Sequence, residues 1–175
     1  MRLCPLLIAL MFGGSPALSG EASPEIVGRA SVIDGDTIDL HGERVRLNGI
    51  DAPESAQLCR NAQRKTYRCG AMAARVLEEF LATSRPTRCK FVERDRYGRF
   101  VGDCYRADGA SVAELLVLSG WALDWPRYSK GEYADEQAHA QAMRLGLWAG
   151  KFAFPWEWRA QRRSGRAAPQ PSIAN

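Results

Sequence analysis

Val32-Ile33-Asp34-Gly35-Asp36-Thr37-Ile38-Asp39-Leu40 is the stretch whose reading decides the fold. The residues from Ala30 to Ile33 lead into the turn signal Asp34-Gly35-Asp36. Thr37 to Leu40 then alternates polar and apolar with period two. His41-Gly42 is a second turn, and Val45-Arg46-Leu47 resumes the extended pattern. Short strands joined by tight turns from Val27 to Ile50 make a β-meander, broken by Asp51-Ala52-Pro53.

Working outward, residues 55–68 are polar and read as a loop pinned by Cys59 and Cys69. Met72, Val76, Leu77, Phe80 and Leu81 share one helical face, and Thr83-Ser84-Arg85-Pro86 ends that helix. Residues 87–106 read as a hairpin around Asp95-Arg96-Tyr97-Gly98, where Gly98 supplies the positive φ a tight turn needs. Ser111 caps a short helix carrying Val112, Leu115, Leu116 and Leu118, and a further helix is expected from about Tyr133 to Leu145. From Arg159 onward periodicity stops. Arg159, Arg162, Arg163 and Arg166 stand there without an acid, with Pro169 and Pro171 beyond, so 159–175 reads as a basic disordered tail.

The chain has 175 residues, 46% hydrophobic and 25% charged, which fits one domain with its own core and excludes disorder throughout. The net charge of +4 is weak evidence for an anionic partner. The span 20–158 holds 19 basic residues against all 20 acids, so the excess lies in the two ends.

Residues 1–19 read as a secretory leader. Arg2 precedes the apolar run Leu3 to Phe12, and Ala17-Leu18-Ser19 offers small residues for cleavage after Ser19, with Ala22 as the alternative. The run is shorter than the roughly 20 residues of a membrane span, so no stable membrane insertion is expected, and the location is secreted or periplasmic. Without Cys4, four cysteines remain, and an even count in an exported chain implies two disulfides. Three connectivities are open. With Arg96 and Tyr97 as the hairpin tip, paired positions sum to 193, which sets Cys89 opposite Cys104 and leaves Cys59 for Cys69. The spacings lack the close cysteine pair of a zinc ribbon.

Phosphate loops with Lys, HExxH and CxxC are absent, and His41 and His139 sit where solvent is expected. What remains is carboxylate and arginine. Adjacent meander strands bring Asp36 and Asp51 together, with Asp34 nearby, and hard cations such as Ca²⁺ take oxygen ligands of this type. The segment is not an EF-hand, because its fifth position is Ile38. Glu54 lies about one turn past Asp51, placed to act as a general base on water. Arg46 and Arg99 can neutralise a phosphodiester as its charge grows. Each residue alone is an ordinary turn or surface residue; the combination points to phosphodiester hydrolysis.

Val32 to Thr37, Arg46-Leu-Asn-Gly-Ile-Asp51-Ala-Pro-Glu54 and Asp95-Arg-Tyr97-Gly98-Arg99 together resemble the thermonuclease (staphylococcal nuclease-like) family, in order and spacing. Ala107-Asp108-Gly109, Gly120-Trp121-Ala122 and Arg144 to Trp148 extend the resemblance over roughly residues 27–150. It implies an α+β fold, a five-stranded OB-fold β-barrel with about three helices. It implies a monomeric Ca²⁺-dependent endonuclease for DNA and RNA leaving 3′-phosphate ends, another hard divalent cation being the alternative. Carried over by position, Asp36, Asp51 and the Ala52 carbonyl match the metal ligands, Arg46 and Arg99 the phosphate-binding arginines, and Glu54 the general base. Tyr97 and Tyr128 match aromatics near the nucleotide. Two other classes compete: a non-catalytic OB-fold module that binds single strands, and an envelope scaffold acting through the basic tail.

Overall fold

The computed structural model describes residues 24–165; the expected leader with its expected cleavage site and positions 166–175 lie outside the described residues. The first strands are β1 (Glu25–Gly28), β2 (Ser31–Asp34), β3 (Thr37–Leu40), β4 (Glu43–Leu47) and the short β5 (Ile50–Asp51), of which only β2, β3 and β4 pair in chain order, so the expected meander is confined to those three. Then come β6 (Leu58–Arg60), β7 (Thr66–Arg68) and α1 (Cys69–Thr83). The hairpin β8 (Thr87–Arg94) and β9 (Phe100–Tyr105) precedes α2 (Val112–Leu118), β10 (Leu123–Asp124), α3 (Pro126–Ser129) and α4 (Ala134–Ala142). A 3₁₀ turn (Gly146–Ala149) leads to α5 (Pro155–Arg163).

The main sheet has the order β1-β8-β9-β4-β3-β2, all antiparallel except the β4–β9 pair. It curls into the half-barrel of an OB-fold, so the α+β class and the OB architecture hold. The described sheet has six strands rather than five, and α3 and α5 add to the three expected helices.

Alternation builds the core. Val45 and Leu47 of β4 point inward with Ile38 and Leu40 of β3, while Arg46 between them faces the opposite side. Ala73 and Leu77 of α1 and Val112 and Leu116 of α2 close over that layer. Each fully buried aliphatic side chain contributes about 1.5–3 kcal/mol. The Ser111 hydroxyl accepts from the Glu114 amide at 3.3 Å, the expected cap of α2. The buried face of α2 is Val112, Ala113, Leu116 and Val117, and Leu118 is exposed instead.

Both disulfides are present, Cys59–Cys69 and Cys89–Cys104. Cys89 and Cys104 are register partners, but the tip differs from expectation. Glu93 pairs with Val101 and Arg94 with Phe100, one position off the expected sum, and an irregularity between Phe91 and Glu93 restores it at the cysteines.

Two sequence expectations need correction. Residues 55–68 are not simply a loop, because β6 and β7 pair as a small hairpin, Cys59 opposite Tyr67. Residues 159–163 do not belong to a disordered tail; they complete α5. Pro155 occupies the start of that helix, Glu157 its first turn, and Arg162 and Arg163 its last, the charge order a helix dipole favours. Around β6 and β7 a second cluster forms from Cys59, Cys69, Leu123, Leu147 and Phe152, flanked by Tyr67, Trp121, Trp148, Phe154 and Trp156.

Candidate active site

A cleft of about 980 Å³ opens beside the β2–β3 turn, β4 and the β8–β9 tip. Asp36, Arg46, Ala52, Glu54, Tyr97, Arg99 and Tyr128 all line it, and Asp51 lies buried beneath. His41 and His139 are exposed and take no part in it.

The β2–β3 turn sets Asp36. The Asp34 side chain accepts from the Asp36 amide at 3.1 Å, an Asx-type turn. The Asp36 carboxylate then accepts from the Thr37 hydroxyl at 3.0 Å, the Ala52 amide at 3.1 Å and Arg46 Nη1 at 3.0 Å. Arg46 pairs across the ladder with Thr37, which puts its side chain over the same turn. Its Nη2 reaches Asp51 Oδ1 at 2.8 Å, so one guanidinium bridges the two aspartates.

Asp51 is fixed by the β5–β10 pairing, opposite Leu123. That pairing depends on Gly49, whose φ is +73° and whose carbonyl accepts from the Trp125 amide at 2.9 Å. A Cβ on Gly49 would lie 2.9 Å from the Tyr133 ring. Trp125 thus stands at the site, with the Arg46 guanidinium 5.6 Å from its ring centre.

Glu54 is held differently. Gln57, completely buried, accepts from the Glu54 amide at 3.3 Å and donates its side-chain amide to the Ala153 carbonyl at 2.7 Å. The Gln57 amide donates to the Glu54 carbonyl at 2.7 Å. Gly70 packs against that carbonyl so closely that a Cβ there would sit 1.9 Å from it. Arg60 and Lys151 exchange two backbone hydrogen bonds of 2.8 Å, tying the β6–β7 hairpin to the segment before α5.

From α5 comes a residue that sequence reasoning missed. Arg159 donates to Asp51 Oδ1 at 2.9 Å, to Asp51 Oδ2 at 2.7 Å and to Glu54 Oε1 at 2.8 Å. Its guanidinium lies 5.4 Å from the Trp125 ring centre, and Trp125 stacks on Trp156 of the same helix at 6.0 Å. The signal was available: Pro155, Glu157, Arg162 and Arg163 are a helix signature spanning Arg159. Gln57 and Gly70 carry no such signal, since their partners are set by the tertiary fold.

Arg99 lines the cleft but touches none of these acids. Its Nε donates to Asp95 Oδ2 at 2.7 Å, and it lies 5.7 Å from the Tyr97 ring centre. Tyr97 and Tyr128 present open faces at the cleft's edge, 69% and 46% exposed.

Electrostatics follow from burial. Burial, with the charge of Asp36 added, pushes the Asp34 carboxyl above its ordinary range. Burial likewise raises the Asp51 carboxyl, while the hydrogen bond and charge of Arg159 and the charge of Arg46 pull against it. Burial works to lower the Arg46 guanidinium, and the charges of Asp36 and Asp51 overcome it and hold Arg46 above its usual value. Among the described residues, no three acidic, His or Cys side chains converge as a ready-made metal cage. The oxygens of Asp36 and Asp51 are instead taken up by guanidinium and N–H donors.

The arrangement is one of buried carboxylates threaded by arginines at the floor of a cleft edged with aromatics. Known proteins are similar to it in sequence. The family model described as Staphylococcal nuclease homologue matches residues 44–150, which include Arg46, Asp51, Glu54 and Arg99 and leave out Asp36 and Arg159. Succinoglycan biosynthesis protein ExoI of Rhizobium meliloti (strain 1021) is 50% identical over 154 residues, 88% of this chain and 78% of that protein. An "Uncharacterized endonuclease" of Escherichia coli O157:H7 is 32% identical over 137 residues, 75% of this chain and 82% of that one. Staphylococcal-like nuclease CAN1 of Arabidopsis thaliana is 34% identical over 124 residues, 70% of this chain but 35% of the plant protein. With the OB-fold and the matched span in agreement, this chain belongs to the staphylococcal nuclease homologue family.

Proposed function

We propose that the chain is an exported, divalent-metal-dependent nuclease that hydrolyses phosphodiester bonds of DNA and RNA and leaves 3′-phosphate ends. The observation that carries this reading is the lattice in which Arg46 bridges Asp36 and Asp51 while Glu54 stands beside them in the same cleft. Relatives named as nucleases and as an endonuclease support it. The two disulfides fit an oxidising compartment. Among the described residues no helix is long and apolar enough to cross a membrane.

In this reading Arg46 and Arg99 bind the phosphate's free oxygens and offset the charge that grows on them. Glu54 accepts a proton from the attacking water as its oxygen bonds to phosphorus. The bond from phosphorus to the 5′-oxygen breaks, and that oxygen leaves after taking a proton from solvent. Tyr97 and Tyr128 offer stacking faces for bases, worth about 1–3 kcal/mol each.

The donor set suits Ca²⁺ or another hard divalent cation. Asp36 and Asp51 are acidic oxygens within reach of one guanidinium, and the Ala52 main chain already packs on Asp36. Those two carboxylates and the Ala52 carbonyl would hold the ion, with water or substrate oxygens filling its remaining positions. Bound there, a cation supplies Lewis-acid stabilisation of the phosphoryl oxygens.

The test is incubation of the oxidised protein with single-stranded DNA, duplex DNA and RNA, with Ca²⁺ and with chelator. Metal-dependent cleavage with phosphatase-sensitive 3′ ends is expected. Recovery of intact strands under every divalent cation would refute the reading. If those strands were bound one to one, the single-strand-binding module would take its place.

A further inference from the structure

Arg159 makes three hydrogen bonds to two of the acids on which the proposed chemistry depends, and it belongs to a helix outside the family-matched span. The fork engages both oxygens of Asp51 at once, at 2.9 and 2.7 Å, and the nitrogen nearer Glu54 is shared between the two acids. Asp51 has no exposed surface, so its charge has no solvent to fall back on when a partner is lost. A cation bound to Asp51 and a bidentate guanidinium on the same carboxylate compete for the same lone pairs and the same negative charge.

We propose that Arg159 is the resident counter-cation of this acidic pocket: it holds Asp51 and Glu54 together and gives up Asp51 when a divalent cation binds. This rests on the reading of Asp36 and Asp51 as metal ligands. Arg159 is a positioning residue in this scheme, because it acts through Glu54 and Asp51. Three features of α5 suit the exchange. The helix is short, Pro155–Arg163, and reaches the pocket from the chain's far end. It is moored by apolar contacts that do not involve the charge: Trp158 is buried, and Phe154 stacks on Trp156 at 4.9 Å. The Trp125 ring lies beneath both guanidiniums, Arg46 at 5.6 Å and Arg159 at 5.4 Å. A released Arg159 therefore keeps an aromatic face to rest on. Competition of this kind is reciprocal: whatever Arg159 subtracts from metal affinity, the metal subtracts from the hold of Arg159.

The experiment is calorimetric titration of Ca²⁺ into the oxidised wild type, Arg159→Lys and Arg159→Gln, with tryptophan emission followed in parallel and no nucleic acid present. Arg159→Gln should bind Ca²⁺ about tenfold more tightly than wild type, within the roughly 5–150-fold range usual for coupled sites. Arg159→Lys keeps the charge but loses the fork, so its affinity should fall between the two. Should the Gln variant fail to fold, the Lys variant against wild type decides the matter. Emission should change on Ca²⁺ addition in the wild type, as the guanidinium over Trp125 moves, and should change less in Arg159→Gln. Binding seen only once Arg159 is replaced would also support the proposal. Equal affinities across the three proteins, or weaker binding in both variants, would overturn it and leave the metal reading standing. No binding of Ca²⁺, Mg²⁺ or Mn²⁺ by any of the three would overturn both.

Discussion

The two walls of the cleft are fixed by different means. Asp36, Arg46 and Asp51 sit on the β2–β3 turn, β4 and β5, within sixteen residues of chain, positions 36 to 51. Ladder pairs hold them, Thr37 against Arg46 and Leu123 against Asp51. Glu54 and Arg159 form the second wall, joined to the first where Arg159 meets Asp51, and no ladder holds either. Their positions depend on a buried amide, a disulfide-pinned hairpin and a C-terminal helix. The contacts involved span 96 residues from Gln57 to Ala153 and 105 from Arg159 to Glu54. The strand wall is a product of the β3–β4 ladder and the short β5–β10 pair. The second wall is a cross-brace that exists only when the last part of the chain has docked.

The largest expected effect lies on the braced wall. Glu54→Gln removes the group assigned to take the water's proton and should lower kcat by about 10²–10⁴-fold. Oligonucleotide affinity, read by fluorescence anisotropy, should be nearly unchanged. A near-native rate would take Glu54 out of that role.

Next come the two disulfides, which separate the walls cleanly. Replacing either pair by alanine should cost about 2–4 kcal/mol in urea unfolding. Only loss of Cys59–Cys69, at the foot of α1 beside Gln57 and Gly70, should also reduce kcat under folding conditions. Cys89–Cys104 joins β8 to β9 within the main sheet, so its loss should leave kcat intact. Equal effects on kcat would erase the distinction between the walls.

Gln57→Ala is a smaller cut at the same brace. It strands the Glu54 amide and the Ala153 carbonyl, a cost of about 1–3 kcal/mol, and it should lower kcat while leaving metal affinity near wild type. Smallest of all is Arg75→Ala. The Arg75–Glu79 pair lies on the exposed face of α1, and its loss should change stability by less than about 0.5 kcal/mol. Activity should not move.

The same division decided what the sequence could reveal. The carboxylate–arginine cluster was legible because period-two alternation puts Arg46 on the face opposite Val45 and Leu47, beside the Asp34–Asp36 turn. The Cys89–Cys104 pair was legible from hairpin register, even though the tip is offset by one position and the bulge near Val92 compensates. Arg99 lines the cleft, but its pairing with Asp95 was not foreseen. Arg159 was lost among four tail arginines because charge without periodicity resembles disorder. Its helix is amphipathic for only nine residues, too short to stand out from composition alone. Gln57 was one polar residue in a polar stretch, and nothing local marks it as fully buried. The charge balance shifts as well: one arginine assigned to a solvent-exposed tail is structural to the site. A truncation meant to remove only a basic tail must therefore begin after α5, not at Arg159.

The claim that ties these parts together is that the two walls serve one reaction. A double-mutant cycle tests it most directly: single-turnover cleavage of a short single-stranded oligonucleotide by wild type, Arg46→Ala, Glu54→Gln and the double variant, with Ca²⁺ saturating. If Arg46 and Glu54 act on the same phosphate in the same step, the double variant should be little slower than the slower single one. A double-variant loss equal to the product of the two single losses would mean the walls act independently, and would contradict the account.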